Sequence, residues 1–143
     1  MASSSSIILL PVDGSASSTR AAKHAATLAK AFGSSVLVLN VQPEIEEWQT
    51  HGMGREAAIE HHAKLAKAAS ADASRILAEA GISFEAIVEH GETPQVIARI
   101  AAQRDCASVV MGTRGQGELK GILMGSVGLK VIHLLEVPVT FVH

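Results

Sequence analysis

Strand-like and helix-like segments alternate along the whole chain, and this alternation restricts the possible folds more than any other feature. Three strand-like segments, 7–10, 36–41 and 107–111, are largely apolar, as in strands that are covered on both faces. Segment 83–89 alternates apolar and polar residues, as a half-exposed or edge strand does, and a last strand-like segment spans 139–142. The alternation predicts an α/β fold: a three-layer sandwich around a five-stranded, mainly parallel sheet.

Four helices are predicted between these strands, at residues 16–31, 55–80, 94–103 and from about 126 onward. Glycine caps close the first two helices, at Gly33 and Gly81. Thr93 is the expected N-cap of the third, and Pro138 forbids continuation of the fourth. The predicted apolar stripes include Ala21, Ala25, Leu28, Ala29 and Phe32 in the first helix, and Ile59, Leu65, Ala66, Ala73, Ile76 and Leu77 in the second.

Composition is typical of one globular domain that spans residues 1–143. Hydrophobic residues make up 48% of the chain and aromatic residues only 3%, so the chain offers no platform for stacking nucleic-acid bases. Twelve basic residues against fourteen acidic ones give a net charge of −2, without a basic face. We therefore expect neither a nucleic-acid partner nor a membrane partner.

Cysteine usage indicates a reducing compartment. Cys106 is the only cysteine, which excludes an internal disulfide, and its place beside a strand favours a small buried residue over a reactive thiol. The first residues carry no positive charge, and no segment approaches the length needed to span a membrane. A cytoplasmic location is the expectation.

The most informative stretch joins the fourth strand to the fourth helix. An apolar run leads directly into five glycines, which precede Ser126 and an apolar helical pattern: Gly112, Gly115, Gly117, Gly121 and Gly125. A buried strand, a glycine loop and a helix start present backbone N–H groups to a phosphate, and glycine lets the backbone come close to a ligand. The stretch predicts a nucleotide phosphate site.

Two familiar phosphate motifs do not match this loop. Gly112 and Gly117 have the spacing of a P-loop, but Glu118 stands where the phosphate-binding lysine belongs. Gly115 and Gly117 resemble the start of a dinucleotide-binding fingerprint, but Gly121 comes one residue late and the loop does not follow the first strand. The pattern that does match is Gly-x2-Gly-x9-Gly-Ser, which ends at Gly125 and Ser126.

A second loop, after the first strand, contains Asp13. If the first and fourth strands are neighbours, this loop and the glycine loop face one cleft at the carboxyl edge of the sheet. Asp13 can accept hydrogen bonds from ribose hydroxyls or can cap the first helix, and we favour the ligand contact. Arg114 offers its guanidinium to phosphate oxygens, with a solvated loop charge as the alternative. Ser126 combines an N-cap hydroxyl with free N–H groups at the helix start.

Other candidate sites are weaker. His61 and His62 are adjacent in a helix and point in different directions, so a dedicated metal site is not expected. Mg²⁺ that accompanies a triphosphate is compatible with the sequence, because it needs few protein ligands. Residues 42–54 are read as a solvated crossover loop, with a flap or a partner contact as the alternative.

The chain resembles the universal stress protein family, in its ATP-binding branch, over essentially its whole length. The resemblance rests on residues 7–15, on Gly91-Glu92-Thr93-Pro94, on the glycine motif and on Val137-Pro138-Val139. It implies a fold like that of the adenine nucleotide alpha-hydrolases, with strand order 3-2-1-4-5, and a homodimer paired through the last strand, 139–142. It also implies that ATP, ADP or AMP contacts a defined set of residues: Pro11, Val12, Asp13, Val41, Met111, Gly112, Arg114, Gly115, Gly125, Ser126 and Val127.

The expected function is therefore that of an ATP-binding regulatory protein in stress response. No residue clearly positions a water molecule or acts as a general base, so no catalytic residue is assigned and any hydrolysis should be slow. Two alternatives remain open. The protein could be a true ATPase or nucleotidyl-transfer enzyme with an unknown second substrate, or a dimeric interaction module that binds no nucleotide.

Overall fold

The computed structural model describes residues 6–46, 52, 54–113 and 125–143. Its elements begin and end within one or two residues of the predicted bounds. In chain order they are β1 (Ile7–Pro11), α1 (Ala16–Phe32), β2 (Ser35–Gln42), α2 (Arg55–Glu79), β3 (Phe84–His90), α3 (Thr93–Gln103), β4 (Ser108–Gly112), α4 (Ser126–Leu134) and β5 (Val139–Val142).

The five strands form one parallel sheet in the order β3-β2-β1-β4-β5, which confirms the α/β fold and the predicted strand order. β1 lies at the centre, where Leu9 and Leu10 are completely buried. β3 lies at one edge, as its alternating pattern predicted, and β5 lies at the other. Because the strands are parallel, their carboxyl ends share one edge of the sheet.

Helices cover both faces of the sheet and enclose two apolar clusters. One cluster joins α1 and α2 to the sheet through small side chains such as Ala25 and Ala73. The other joins α3 and α4 to the opposite face, around Ile97 and Val131. Alanine dominates the first cluster because α1 and α2 pack closely on the sheet. Among the described residues, no helix combines the length and apolar character needed to cross a membrane.

Some predicted details of the helices are wrong. Phe32, assigned to the apolar stripe of α1, is 75% exposed because it lies in the last turn, beyond the sheet contact that Ala29 makes. Ile59 and Leu65 flank the buried stripe of α2 and are also exposed. The N-cap of α3 is Glu92, so Thr93 is already a helical residue. The predicted cap at Gly33 is confirmed, with a left-handed φ of 67°.

Gly112 allows α1 to lie directly against the end of β4. A Cβ atom at this position would overlap with Ser17 Oγ and would lie 2.9 Å from Ser17 Cβ, closer than real Cβ atoms approach other atoms. The Ser17 carbonyl carbon would lie 3.0 Å away. Ser17 is itself buried, and its hydroxyl donates to the Val142 carbonyl at 3.2 Å. The glycine at 112 therefore has a packing role that is independent of any ligand.

We expect Gly112→Ala to lower the free energy of unfolding by about 1–3 kcal/mol, because the added methyl group overpacks the contact between α1 and β4. Urea denaturation measures the change. Ser17→Ala removes the atom nearest to the new methyl group, so Gly112→Ala should cost less in that background. Equal stability of wild type and Gly112→Ala would contradict this packing role.

His62 is fully buried on the inner face of α2. Its ring stacks on that of His90, at the end of β3, with the ring centroids 5.2 Å apart, and the ring of His61 lies 6.2 Å away. Burial lowers the pKa of His62 below its ordinary value of 6.5, and repulsion from His90 and His61 adds to the effect. The folded protein therefore holds His62 neutral more strongly than the unfolded chain does.

This difference makes stability depend on pH. Because the pKa of His62 is lower in the folded state, the neutral ring contributes fully to the free energy of unfolding above pH 6.5. That contribution is lost as the pH falls toward the folded pKa. Each unit of difference between the folded and unfolded pKa is equivalent to about 1.4 kcal/mol of this free energy. Urea denaturation between pH 8 and pH 5 should show wild type losing more stability than His62→Phe. His133→Asn, at an exposed site on α4, should keep the wild-type slope. Parallel curves for wild type and His62→Phe would contradict the assignment.

Candidate functional site

A cleft opens where β1 and β4 separate. β1 pairs with β2 along its whole length, from Ile7 to Pro11, but with β4 only at Ile8–Ser108 and Leu9–Val109. Beyond those pairs the two strands lead to loops on opposite faces of the sheet, because β1 continues into α1 and β4 into α4. This is the switch point in strand order, where ligands bind in open parallel sheets.

The cleft contains about 690 Å³ of empty space, including open solvent. It gathers residues that the sequence placed in one site but that are far apart along the chain. The predicted residues that line it are Pro11, Val12, Asp13, Val41, Met111, Gly112, Gly125 and Val127. Ser126 instead lines an adjoining groove, which shares Val41, Thr93 and Val127 with the cleft. Arg114 and Gly115 lie outside the described residues.

Asp13 lies in the exposed loop between β1 and α1. Its Oδ1 accepts from the Ser15 amide at 2.9 Å, and its own amide donates to Ser18 Oγ at 3.3 Å. The N-cap of α1 is Ser15, whose hydroxyl accepts from the Ser18 amide. The alternative role of Asp13 as that cap is therefore not observed. Its carboxylate is held beside the start of α1, at the mouth of the cleft.

The backbone of Val41 faces the opening that β1 leaves. The Leu39 carbonyl accepts from the Val12 amide, on the side of β1, whereas the Gln42 carbonyl accepts from the Gly91 amide, on the side of β3. Successive residues of a parallel strand direct their N–H and C=O groups alternately to the two neighbours. Val41 therefore points these groups to the same side as Leu39. Because β1 has ended at that level, a backbone donor and acceptor face the cleft.

Thr113, the residue after β4, is hydrogen-bonded to the residue that immediately precedes α4. Its amide donates to the Val142 carbonyl at 2.9 Å, and its carbonyl accepts from the Gly125 amide at 2.6 Å. This second hydrogen bond brings Gly125 beside the end of β4, although eleven residues (114–124, outside the described part) separate them in sequence. The first and last glycines of the motif, Gly112 and Gly125, thus line one cleft.

The start of α4 differs from the prediction by one residue. Gly125, with extended backbone angles, is the N-cap, and Ser126 is the first helical residue. Ser126 therefore does not cap the helix with its hydroxyl. The helix still begins at the cleft, and the unbonded N–H groups of a first turn carry partial positive charge.

Six cleft residues were not predicted: Ser18, Leu39, Asn40, Thr93, Ile97 and Gly128. Ser15 and Thr113 lie in the two loops that were expected to face the cleft, but neither was singled out. Asn40 had a recognisable signal, because it is the one polar residue inside the apolar segment 36–41. Thr113 lies within the glycine motif at a position that the motif leaves unspecified. Ile97 and Gly128 lie on helices and reach the cleft only because α3 and α4 pack beside it.

Charge is sparse in the cleft. Asp13 is the single ionisable residue among the described residues that line it. The adjoining groove has Glu44, Glu92 and Lys130 in its walls. Within the described part of the chain, no three His, Cys, Asp or Glu side chains gather as metal ligands. The cleft can therefore offer one carboxylate, hydroxyl groups, a strand backbone and a helix start to a polar ligand.

Comparison with known proteins supplies the family. The sequence model of the universal stress protein family matches residues 5–143. Universal stress protein MJ0531 of Methanocaldococcus jannaschii is 32% identical over 142 residues, which cover 94% of this chain and 80% of that protein.

Solved structures agree with this match. Hypothetical protein MJ0577 superposes with a TM-score of 0.77 at 29% identity, over 96% of this chain and 94% of its own. The universal stress protein from Archaeoglobus fulgidus in complex with dAMP superposes with a TM-score of 0.72 at 25% identity, over 98% of both chains. The chain belongs to the universal stress protein family.

Proposed function

We propose that this protein binds an adenine nucleotide, foremost ATP, in the cleft between β1 and β4 and acts as a regulatory protein in stress response. The observation that carries the proposal is the convergence of Asp13, the Val41 backbone and Gly125 on one cleft at the switch point of the sheet. A family relative that was solved in complex with dAMP, at 25% identity, supports the choice of adenine nucleotides.

Each part of a nucleotide has a chemical counterpart in the cleft. Asp13 carries a carboxylate that can accept hydrogen bonds from ribose hydroxyls. Val41 offers a backbone N–H and C=O, which complement a ring nitrogen and the exocyclic amine of adenine. The start of α4, at Gly125 and Ser126, favours phosphate through its N–H groups and the helix dipole. We assign Arg114 and Gly115, from the same motif, to the phosphates as well.

The proposed chemistry is binding, with hydrolysis at most slow. A hydrolase needs a group that orients or deprotonates the attacking water, and Asp13, the one ionisable residue among the described cleft residues, is assigned to ribose. Mg²⁺ would enter with a triphosphate and be held mainly by its oxygens. Rapid multiple-turnover release of ADP would contradict this assignment and favour an enzyme that hydrolyses ATP or transfers a nucleotidyl group.

We expect Asp13→Ala to lower the affinity for ATP and the affinity for AMP by about the same factor, roughly tenfold, because the ribose contact is common to both ligands. Isothermal titration calorimetry measures the affinities. Asp72→Ala is the matched control, because Asp72 is exposed on the outer side of α2 and pairs with Arg75. It should bind like wild type.

Two results would contradict the proposal in different ways. If wild type binds neither ATP nor AMP at millimolar concentration, nucleotide binding itself is wrong and the interaction module is favoured. If wild type binds both and Asp13→Ala binds equally well, the nucleotide lies elsewhere. Gly125→Val should also weaken ATP, because a β-branched side chain would intrude at the start of α4.

We further propose a homodimer through β5 in a cytoplasmic protein; the single, buried Cys106 suits a reducing compartment. β5 is an edge strand, and all four of its residues are only half buried in one chain. The Pro138 carbonyl accepts from Val109 in β4 and the Val142 carbonyl from Thr113 just after it, so the N–H and C=O groups of Val139 and Phe141 point outward. Exposed apolar side chains of α4, Leu129 and Ile132, lie on the same half of the molecule.

Val139→Pro should convert the dimer to a monomer, because proline removes an outward N–H that pairing across β5 would use. Val88→Pro is the matched control: it removes an outward N–H from β3, the opposite edge strand, at another partly exposed valine. Sedimentation equilibrium should give twice the chain mass for wild type and Val88→Pro, and the chain mass for Val139→Pro. A monomeric wild type, or a dimer lost only in Val88→Pro, would contradict this interface.

A further inference from the structure

We propose that Asn40 is the positioning residue of the cleft: its carboxamide holds the Val12 carbonyl and thereby sets the direction in which Asp13 presents its carboxylate. The inference rests on the proposed function, because it assigns Asn40 a part in holding the same nucleotide. Asn40 acts through Val12 and Asp13 and not through contact of its own carboxamide with the ligand.

Val12 is tied to β2 by both of its backbone groups. Its amide donates to the Leu39 carbonyl at 2.8 Å, which extends the pairing of β1 with β2 by one residue. Its carbonyl accepts from Asn40 Nδ2, also at 2.8 Å. The carbonyl of Val12 belongs to the peptide bond that leads into Asp13. Asn40 therefore fixes the plane of that peptide after regular strand pairing has ended.

The Val12 carbonyl, which can only accept, sets the orientation of the Asn40 carboxamide, and Gln42 supports it. The side-chain Nε2 of Gln42 donates to Asn40 Oδ1 at 2.6 Å. The backbone carbonyl of Gln42 accepts from the Gly91 amide at 3.0 Å, as part of the pairing with β3. With the Asn40 amide reversed, NH2 would face NH2 at Gln42 and oxygen would face oxygen at Val12. Residues two apart on a strand share a face, which is why Asn40 and Gln42 meet. The chain of contacts admits one orientation.

Burial makes these bonds consequential. Asn40 is 4% exposed and Gln42 is 8% exposed, beside strand residues that are otherwise apolar. A buried carboxamide is costly unless it is hydrogen-bonded, and a leucine of similar volume would fill the space without that cost. Leucine, however, cannot hold the Val12 carbonyl. The polar side chain has its effect at one place, the turn from β1 toward Asp13.

Asn40→Asp tests the proposal through its pH dependence. As an anion, the new side chain repels the Val12 carbonyl; when protonated, it donates to that carbonyl and still accepts from Gln42. Burial should raise its pKa into an accessible range. Adenosine is the probe, because it has no phosphate to titrate. We expect its affinity for the variant to be about tenfold below wild type at pH 8 and to approach wild type at pH 5, measured at each pH against wild type.

A ligand-free measurement separates this proposal from the proposed function. The Ser15 amide donates to Asp13 Oδ1, so its hydrogen-exchange rate reports the orientation of Asp13. The exchange rate in Asn40→Asp, relative to wild type, should rise at pH 8 and recover at pH 5. If wild type binds no adenosine and this pattern is seen, the positioning role stands and the proposed function fails. If wild type binds adenosine and neither affinity nor exchange responds, the positioning role is wrong.

Two further variants complete the test. Gln42→Leu keeps Asn40 but removes the hydrogen bond that supports its carboxamide, and it serves if Asn40→Asp does not fold. Adenosine should bind it about threefold more weakly, with faster Ser15 exchange; wild-type values would overturn the proposal. Ser34→Ala is the control for general destabilisation, because Ser34 is a buried, hydrogen-bonded residue at the opposite end of β2. It should lower stability without changing either readout, and a change equal to that of Asn40→Asp would also overturn the proposal.

Discussion

The separation of β1 from β4 is the constraint on which the candidate site depends. The two strands share only two register pairs before they lead to helices on opposite faces of the sheet. The gap is a consequence of strand order. β1 is central, and the chain adds β2 and β3 on one side of it and β4 and β5 on the other, so the order of the strands reverses between β1 and β4. Side chains and backbone groups that would otherwise pair between strands face a cleft instead. The site is therefore part of the topology and not an addition to it.

Small and polar residues keep the edges of this cleft in place. Gly112 lets α1 approach the end of β4, and Ser17 in turn bonds to the end of β5. Across the cleft, Asn40 and Thr113 hold the chain just after β1 and β4 with hydrogen bonds that continue the order of the sheet. Regular strand pairing ends at the rim, so side-chain and single backbone bonds must define the loops there. Ser17, Asn40 and Thr113, which make these contacts, are themselves buried.

Much of the architecture could be predicted from local patterns, because buried strands and amphipathic helices have characteristic patterns of apolar residues along the sequence. Segment 139–142 matches β5, and the neighbouring placement of β1 and β4 brings Asp13 to the same cleft as Gly112 and Gly125. The exposure of Phe32 could not be predicted, since helical spacing does not show where a helix extends past the sheet. The packing role of Gly112 was equally hidden, because a motif shows spacing along one segment and not its neighbours in space. Residues 114–124 lie outside the described part, so the predictions for Arg114 and Gly115 stay predictions.

The central claim is that one adenine nucleotide lies at the switch point of the sheet, and nuclear magnetic resonance tests it most directly. Titration of the isotopically labelled protein with AMP should shift the amide signals of Asp13, Val41, Gly112 and Gly125 together, with one saturation curve. Signals from Phe32 and Gly81, which lie at the end of the sheet where the strands begin, should not move. Shifts confined to other regions, or no saturable shift in these four amides, would contradict the account.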